Sequence, residues 1–189
     1  MRSKSDEQIL HALGQGDENA LRILVERYST SVYRFSVRYT GDESLAEDVA
    51  QEVFLRLFLH ANKYTAGRSF KTWLFTIVRN VSIDLARPYS YRKSSSSHLN
   101  SGPTQANFTP ELIVDESPTQ EEQLANREKQ KKIIAALQDL PEKQRASIIL
   151  KYYEHMSNRE IAEVLHKTVS SVEALLARAK KNLAELLKI

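Results

Sequence analysis

Between Arg87 and Gln120 the chain reads RPYSYRKSSSSHLNSGPTQANFTPELIVDESPTQ. Four of the five prolines fall here (Pro88, Pro103, Pro110, Pro118), with a run of four serines and little apolar periodicity. Proline removes backbone donors and serine-rich sequence buries too little apolar surface to order itself, so the stretch reads as a linker. Roughly 30 residues without helical or strand pattern are too many for a connection inside one compact domain. The chain is therefore expected to fold as two small units, 1–87 and 121–189, joined by a long flexible linker over 88–120.

Both units carry a helical pattern. Ile9, Leu13, Ala20, Leu21 and Leu24 keep a period near 3.6, as do Val32, Phe35, Ser36 and Tyr39, and then Leu45, Val49, Val53 and Leu57. The sequence TGDES, Thr40 to Ser44, predicts a helix stop and restart. The pattern lapses around NKYTAGRSF, which predicts a loop before a helix over Phe70–Ala86, and Pro88 ends that helix because the residue before proline disfavours the α region. Beyond the linker, EEQLANREKQKKIIAALQDL predicts one helix and Pro141 opens another. Ser157 with Glu160 forms a capping box for a third, and Thr168 caps a fourth. No alternating strand pattern is found, so the fold class is all-α.

Composition removes several function classes. The chain has no cysteine, which excludes a disulfide framework and any thiolate metal site, and its five histidines are scattered. No apolar run approaches the roughly 20 residues needed to cross a bilayer, and the N-terminus lacks the apolar segment of a secretory signal. No P-loop or nucleophile-elbow spacing occurs, and GQG at Gly14 lacks the third glycine of a dinucleotide fingerprint. The expectation is a cytoplasmic, non-enzymatic protein without metal or cofactor. Net charge is +3, but it is unevenly placed: residues 60–93 hold seven bases and one acid, Asp84. Residues 94–126 hold five acids and no base, and residues 127–189 hold 13 bases and eight acids. Two basic segments around an acidic one suggest two contacts on a polyanion.

The C-terminal unit has the spacing of a helix-turn-helix, with HKT as the turn. Ala162 is small where two crossing helices approach, and Ile161, Leu165, Val172 and Leu176 face inward. Ser170, Ser171, Glu173, Ala174, Ala177, Arg178 and Lys181 are left on the outer side of the second helix. In a DNA-reading helix-turn-helix that side enters the major groove, early residues meeting base edges and later basic ones phosphates. Many such turns carry glycine; this one carries His166, which tolerates positive φ better than a β-branched residue does.

In the N-terminal unit, GDESLAEDVAQEVFLRLF places Asp48, Gln51, Glu52 and Leu55 at i, i+3, i+4 and i+7, one continuous helix face. Further on, SFKTWLFTIVRNVSIDLAR mixes the single tryptophan, Trp73, and Phe70 and Phe75 with Lys71, Arg79 and Arg87. Trp73, Leu74 and Ile77 read as core, whereas the bases are suited to phosphates.

In order, the motifs GDENALRILVERY, AEDVAQEVFLRLF, FKTWLFTIVRNVSIDLAR, LPEKQRASIILKYY and SNREIAEVLHKTVSSVEALLARAKKNL resemble the bacterial sigma factors of the extracytoplasmic-function group, the minimal two-domain class. The resemblance covers nearly the whole chain. It implies a region 2 domain over 1–87 and a region 4 domain over 121–189, with core RNA polymerase (β′ clamp and β flap), promoter DNA and an anti-sigma factor as partners. The face of Asp48, Gln51, Glu52 and Leu55 matches the helix that docks on the β′ clamp. Lys63, Tyr64, Arg68, Phe70, Lys71, Arg79, Asn80 and Arg87 match the element that melts and reads the minus-ten motif. Tyr64 and Phe70 are the candidates to stack on an unpaired base, Asn80 to read its edge, and Lys71, Arg79 and Arg87 to neutralise phosphates. Ser170, Ser171, Glu173, Ala174, Ala177, Arg178 and Lys181 match the helix that reads the minus-thirty-five element as duplex. Glu173, Leu175 and Ala177 depart from residues common there, and Glu173 suits a cytosine amino group. The linker acids Glu111, Asp115, Glu116, Glu121 and Glu122 match a segment that threads a basic channel in the polymerase.

Other classes make different demands. A conventional helix-turn-helix regulator predicts tight duplex binding without polymerase. A carboxylate-metal hydrolase predicts metal at Glu47, Asp48 and Glu52. An adaptor predicts polymerase binding without directed transcription.

Overall fold

The computed structural model describes residues 4–64, 67, 69–87 and 120–188, the side chains of 120–125 excepted. Among these, eight α-helices and one 3-10 turn form the fold, and there is no strand. Helices α1 (Asp6–Gly14), α2 (Glu18–Thr40), α3 (Glu43–His60) and α4 (Phe70–Ala86) build an N-terminal unit. A 3-10 turn, Ala61–Lys63, follows α3. Helices α5 (Gln120–Gln138), α6 (Glu142–Tyr152), α7 (Asn158–Leu165) and α8 (Val169–Leu187) build a C-terminal unit. No described helix is long and apolar enough to cross a membrane.

Local chemistry sets the helix ends. Ser5 and Gln8 form a capping box at α1, and Asp17 and Asp42 accept the Asn19 and Leu45 amides at the starts of α2 and α3. The break between α1 and α2 falls at Gln15–Asp17, where Gly16 takes φ 94°. Helix α2 stops at Gly41, φ 77°, a left-handed conformation that costs glycine nothing. Ser69 caps α4 through the Thr72 amide at 3.1 Å, and the Phe70 amide donates to Glu7 Oε1 at 3.3 Å, tying α1 to the start of α4.

The N-terminal core is aromatic at its centre. Phe35 and Phe75, both fully buried, meet edge-on with centroids 5.6 Å apart, and Phe35 stacks on Tyr39 at 5.6 Å. Leu24, Val32, Val49, Val53, Leu57, Leu74 and Val78 close around them. Leu45, Trp73 and Ile77 are only half-buried at its edge. The C-terminal core is built from Leu137, Ile149, Leu150, Ile161, Val164, Val172 and Ala179. Asn182 Nδ2 donates to Gln144 Oε1 at 3.0 Å and ties α8 to α6.

The two units do not stand apart. Helix α4 packs on α7, and α2 on α5 and α6, so that the buried residues of both units form one continuous cluster. The linker expectation over residues 88–119 lies outside the described residues.

Candidate nucleic-acid interface

Helices α7 and α8 meet at a turn with the geometry that the sequence predicts. Ser157 and Glu160 form the reciprocal capping box, Ser157 N donating to Glu160 Oε2 at 2.8 Å. His166 ends α7 in the left-handed region (φ 50°, ψ 51°), and Thr168 accepts the Ser171 amide at 3.2 Å to start α8. Ile161, Ala162, Leu165, Val172 and Leu176 are buried between the helices. Ser170, Glu173, Ala174, Ala177, Arg178 and Lys181 are exposed along α8. Ser171 is half-buried, and its hydroxyl lies 2.8 Å from Thr168 Oγ1. The exposed face begins with hydroxyls and a carboxylate and ends in two cations, an arrangement that suits bases first and phosphates second.

On α3, Asp48, Gln51 and Leu55 are exposed, while the opposite side of the helix (Val49, Val53, Leu57) is fully buried. Glu52 is half-buried because Arg56 Nε holds its Oε1 at 2.6 Å; Arg56 also lies 3.5 Å from Asp84. The stripe continues beyond the predicted four residues to Phe58 (45% exposed) and Leu59. Both were legible as the next turn, at i+3 and i+4 from Leu55, and large apolar groups left in water mark a contact surface. Glu47, Asp48 and Glu52 belong to no group of three or more residues able to hold a metal ion, among the described residues.

The minus-ten set divides. Lys63, Asn80 and Arg87 are exposed. Tyr64 is half-buried, edge-on to Trp73 at 5.5 Å, beside a cleft of about 610 Å³ between α1 and the 3-10 turn that His11, Gln15 and Asn62 also line. Arg68 lies outside the described residues. Phe70 requires a correction as a base-stacking residue: it is 1% exposed, edge-on to Tyr28 at 5.1 Å, and both ring faces are packed. It is the first residue of α4, but that position points into the α1–α2 contact.

Lys71 and Arg79 are engaged within the chain. Lys71 Nζ donates to the Glu154 main-chain carbonyl, and Arg79 Nη2 holds Glu142 Oε1 at 2.7 Å. Both acceptors belong to the C-terminal unit. Glu154 itself is buried, and burial pushes its carboxyl up to about 7 despite the opposing charges of Lys71, Arg38 and Arg34. Sequence reasoning gave no sign of these partners, since each sits about 60 residues or more from its cation. Of the linker acids, Glu111, Asp115 and Glu116 lie outside the described residues; Glu121 and Glu122 fall on α5, their side chains outside them.

Comparison with known proteins follows this division. Residues 24–90 match the Sigma-70 region 2 family and residues 130–183 the Sigma-70 region 4 family. The chain is 30% identical to the ECF RNA polymerase sigma factor SigW of Bacillus subtilis over 92% of each chain. It is 25% identical to the RNA polymerase sigma-H factor of Pseudomonas aeruginosa, over 100% of this chain and 96% of the other. Among solved structures, CnrH in complex with the cytosolic domain of CnrY shares the fold, with a TM-score of 0.72 at 23% identity over 98% of each chain. The sigma factor RpoE in complex with the anti-sigma factor NepR, from Bartonella quintana, gives 0.63 at 20% identity over 89% of this chain and 96% of the other.

Proposed function

This chain belongs to the sigma-70 family, among its extracytoplasmic-function sigma factors, and on that premise we propose how its surfaces direct transcription. It is an alternative sigma factor: it joins core RNA polymerase and selects promoters. Its role is binding and positioning, with the covalent chemistry left to the polymerase.

The observation that carries the docking assignment is the α3 stripe. Asp48, Gln51, Leu55 and Phe58 lie exposed on a helix whose other side is locked in the core, so the surface is rigid before any partner arrives. An acidic edge with an apolar centre suits a basic, partly apolar coiled coil, and we assign it to the β′ clamp, with Glu52 behind it. Residues 1–87 then serve as the minus-ten unit and 121–189 as the minus-thirty-five unit, which also meets the β flap. Tyr64 supplies the aromatic surface for an unpaired base, Asn80 an amide for its edge, and Lys63, Arg68, Lys71, Arg79 and Arg87 the cations. On α8, Ser170, Ser171, Glu173, Ala174 and Ala177 face bases, and Arg178 and Lys181 face phosphates. CnrH and RpoE were solved with protein partners, and RpoE's is an anti-sigma factor; an anti-sigma partner is proposed here also.

Run-off transcription with core bacterial polymerase on a pool of promoters tests this. Transcripts that need this chain, and that are lost with Asp48→Arg or Leu55→Asp, are the expected result. Both positions are exposed, so neither change disturbs the core; Glu52→Arg is a poorer probe because it also breaks the Arg56 pair. Stable duplex binding without polymerase, and no directed transcript, would favour a conventional regulator.

A further inference from the structure

We propose that Arg56 is a positioning residue for promoter DNA: from α3 it masks the Asp84 carboxylate, which stands on α4 among the groups that meet the minus-ten element. The proposal rests on the minus-ten assignment of α4 given above.

Residues 60–93 carry seven bases and one acid, and that acid is Asp84. Helical spacing sets its place. Asn80, Asp84 and Arg87 fall at i, i+4 and i+7, so they share one side of α4. Asn80 and Arg87 are exposed, and between them the Asp84 side chain is 43% exposed. A bare carboxylate in that position repels the phosphates that its basic neighbours attract.

Arg56 answers this charge from the neighbouring helix. Its Nη1 lies 3.5 Å from Asp84 Oδ2, while its Nε donates to Glu52 Oε1 at 2.6 Å. The planar guanidinium presents these donors in different directions, so one cation serves carboxylates on two helices. An ammonium group concentrates its charge at a single point and lacks that fork. Glu52 lies one turn before Arg56 on α3 and, by holding Nε, aims Nη1 across at α4.

The fold itself does not need these pairs. Helices α3 and α4 already pack through fully buried sides, with Val49, Val53 and Leu57 on one and Leu74, Val78 and Val81 on the other. The Arg56 side chain is 35% exposed, and ion pairs at such positions contribute little to stability. Outside the protein their effect is larger in proportion. A phosphate brought next to Asp84 sits well within the screening length of ordinary salt, where it meets a cancelled charge in place of a bare one.

The test uses the holoenzyme, with core bacterial polymerase saturated by the chain so that any change in docking through Glu52 drops out. The probe is a promoter that the unmodified chain opens, and the reading is the holoenzyme concentration at half-maximal permanganate reactivity. Arg56→Gln uncovers Asp84 and is expected to raise that concentration about fivefold, the scale of one unit charge close to another in water. Asp84→Asn alone should not raise it, and Arg56→Gln combined with Asp84→Asn should return it to the unmodified value. The defect of Arg56→Gln should also shrink with added salt, because exposed charges are screened. A mere tie between two helices predicts another pattern: Asp84→Asn would harm as much as Arg56→Gln, and the combined changes would restore nothing. That pattern would overturn the proposal, and so would an Arg56→Gln variant that opens the promoter normally. An unmodified chain that opens no promoter would remove the sigma assignment, and the proposal with it.

Discussion

The neighbouring aromatics Tyr64 and Phe70 show how little residue type alone decides. Phe70 sits 1% exposed against Tyr28 and Trp73, whereas Tyr64 keeps part of its ring at the edge of an open cleft. Truncating them should therefore separate cleanly. Phe70→Ala is expected to cost about 3–5 kcal/mol of stability, the range for emptying an aromatic site in a packed core, as read by urea unfolding. Tyr64→Ala should cost only about 1 kcal/mol, for its edge-on contact with Trp73, and reduce promoter opening roughly tenfold, read with permanganate reactivity of the melted strand, if one base loses its stacking surface. A Tyr64→Ala variant that opens promoters normally would remove Tyr64 from the strand-binding set.

Among the elements, the turn between α7 and α8 is the most exposed to a single choice of residue. His166 holds φ 50°, where a side chain costs backbone energy that glycine avoids. His166→Gly is expected to raise the stability of the C-terminal unit by about 0.5–1 kcal/mol, visible as a higher thermal midpoint with unchanged helicity. Loss of the Ser157 cap by Ser157→Ala should move it the other way by about 1 kcal/mol, because the Glu160 amide loses its side-chain acceptor at the helix start. Helix α3 illustrates the opposite case: its buried side fixes it so firmly that the outward stripe from Asp48 to Phe58 is free to carry a partner.

At the scale of the whole molecule, the seam between the units carries a titratable group. Glu154 is 4% exposed and faces Lys71 from α4 and Arg38 and Arg34 from α2, yet desolvation outweighs these cations and raises its pKa to about 7. A raised carboxyl pKa means that the closed form binds the proton more tightly than a solvated form with an ordinary value near 4.5. The stabilisation, on the order of 3 kcal/mol, is fully present below the ordinary value and is lost as pH rises through about 7. A chain carrying one dye on each unit is expected to be more closed at pH 6 than at pH 8, and Glu154→Gln should flatten that dependence while keeping the chain closed. A pH response that survives Glu154→Gln would place the titration elsewhere.

Much of this protein was legible in its residues because the signals are local. The helix over Phe70–Ala86, the capping box at Ser157, the stop at Gly41 and the outward side of α8 all follow from interactions within a few positions along the chain. Periodicity separates a buried side from an exposed one without reference to the rest of the fold, and the outward face of Asp48, Gln51 and Leu55 was visible on the same ground. What periodicity cannot show is what an exposed-looking cation meets in space. Lys71 and Arg79 read as solvated bases poised for phosphate, and only tertiary structure sets them against Glu154 and Glu142. The burial of Phe70, one residue from the loop, is decided in the same way, by how α1 and α2 close over the start of α4. Local rules thus fixed the elements and their faces. Which faces meet, and so which binding groups are free, depends on contacts between residues far apart in the chain, whose energies no short window of sequence contains.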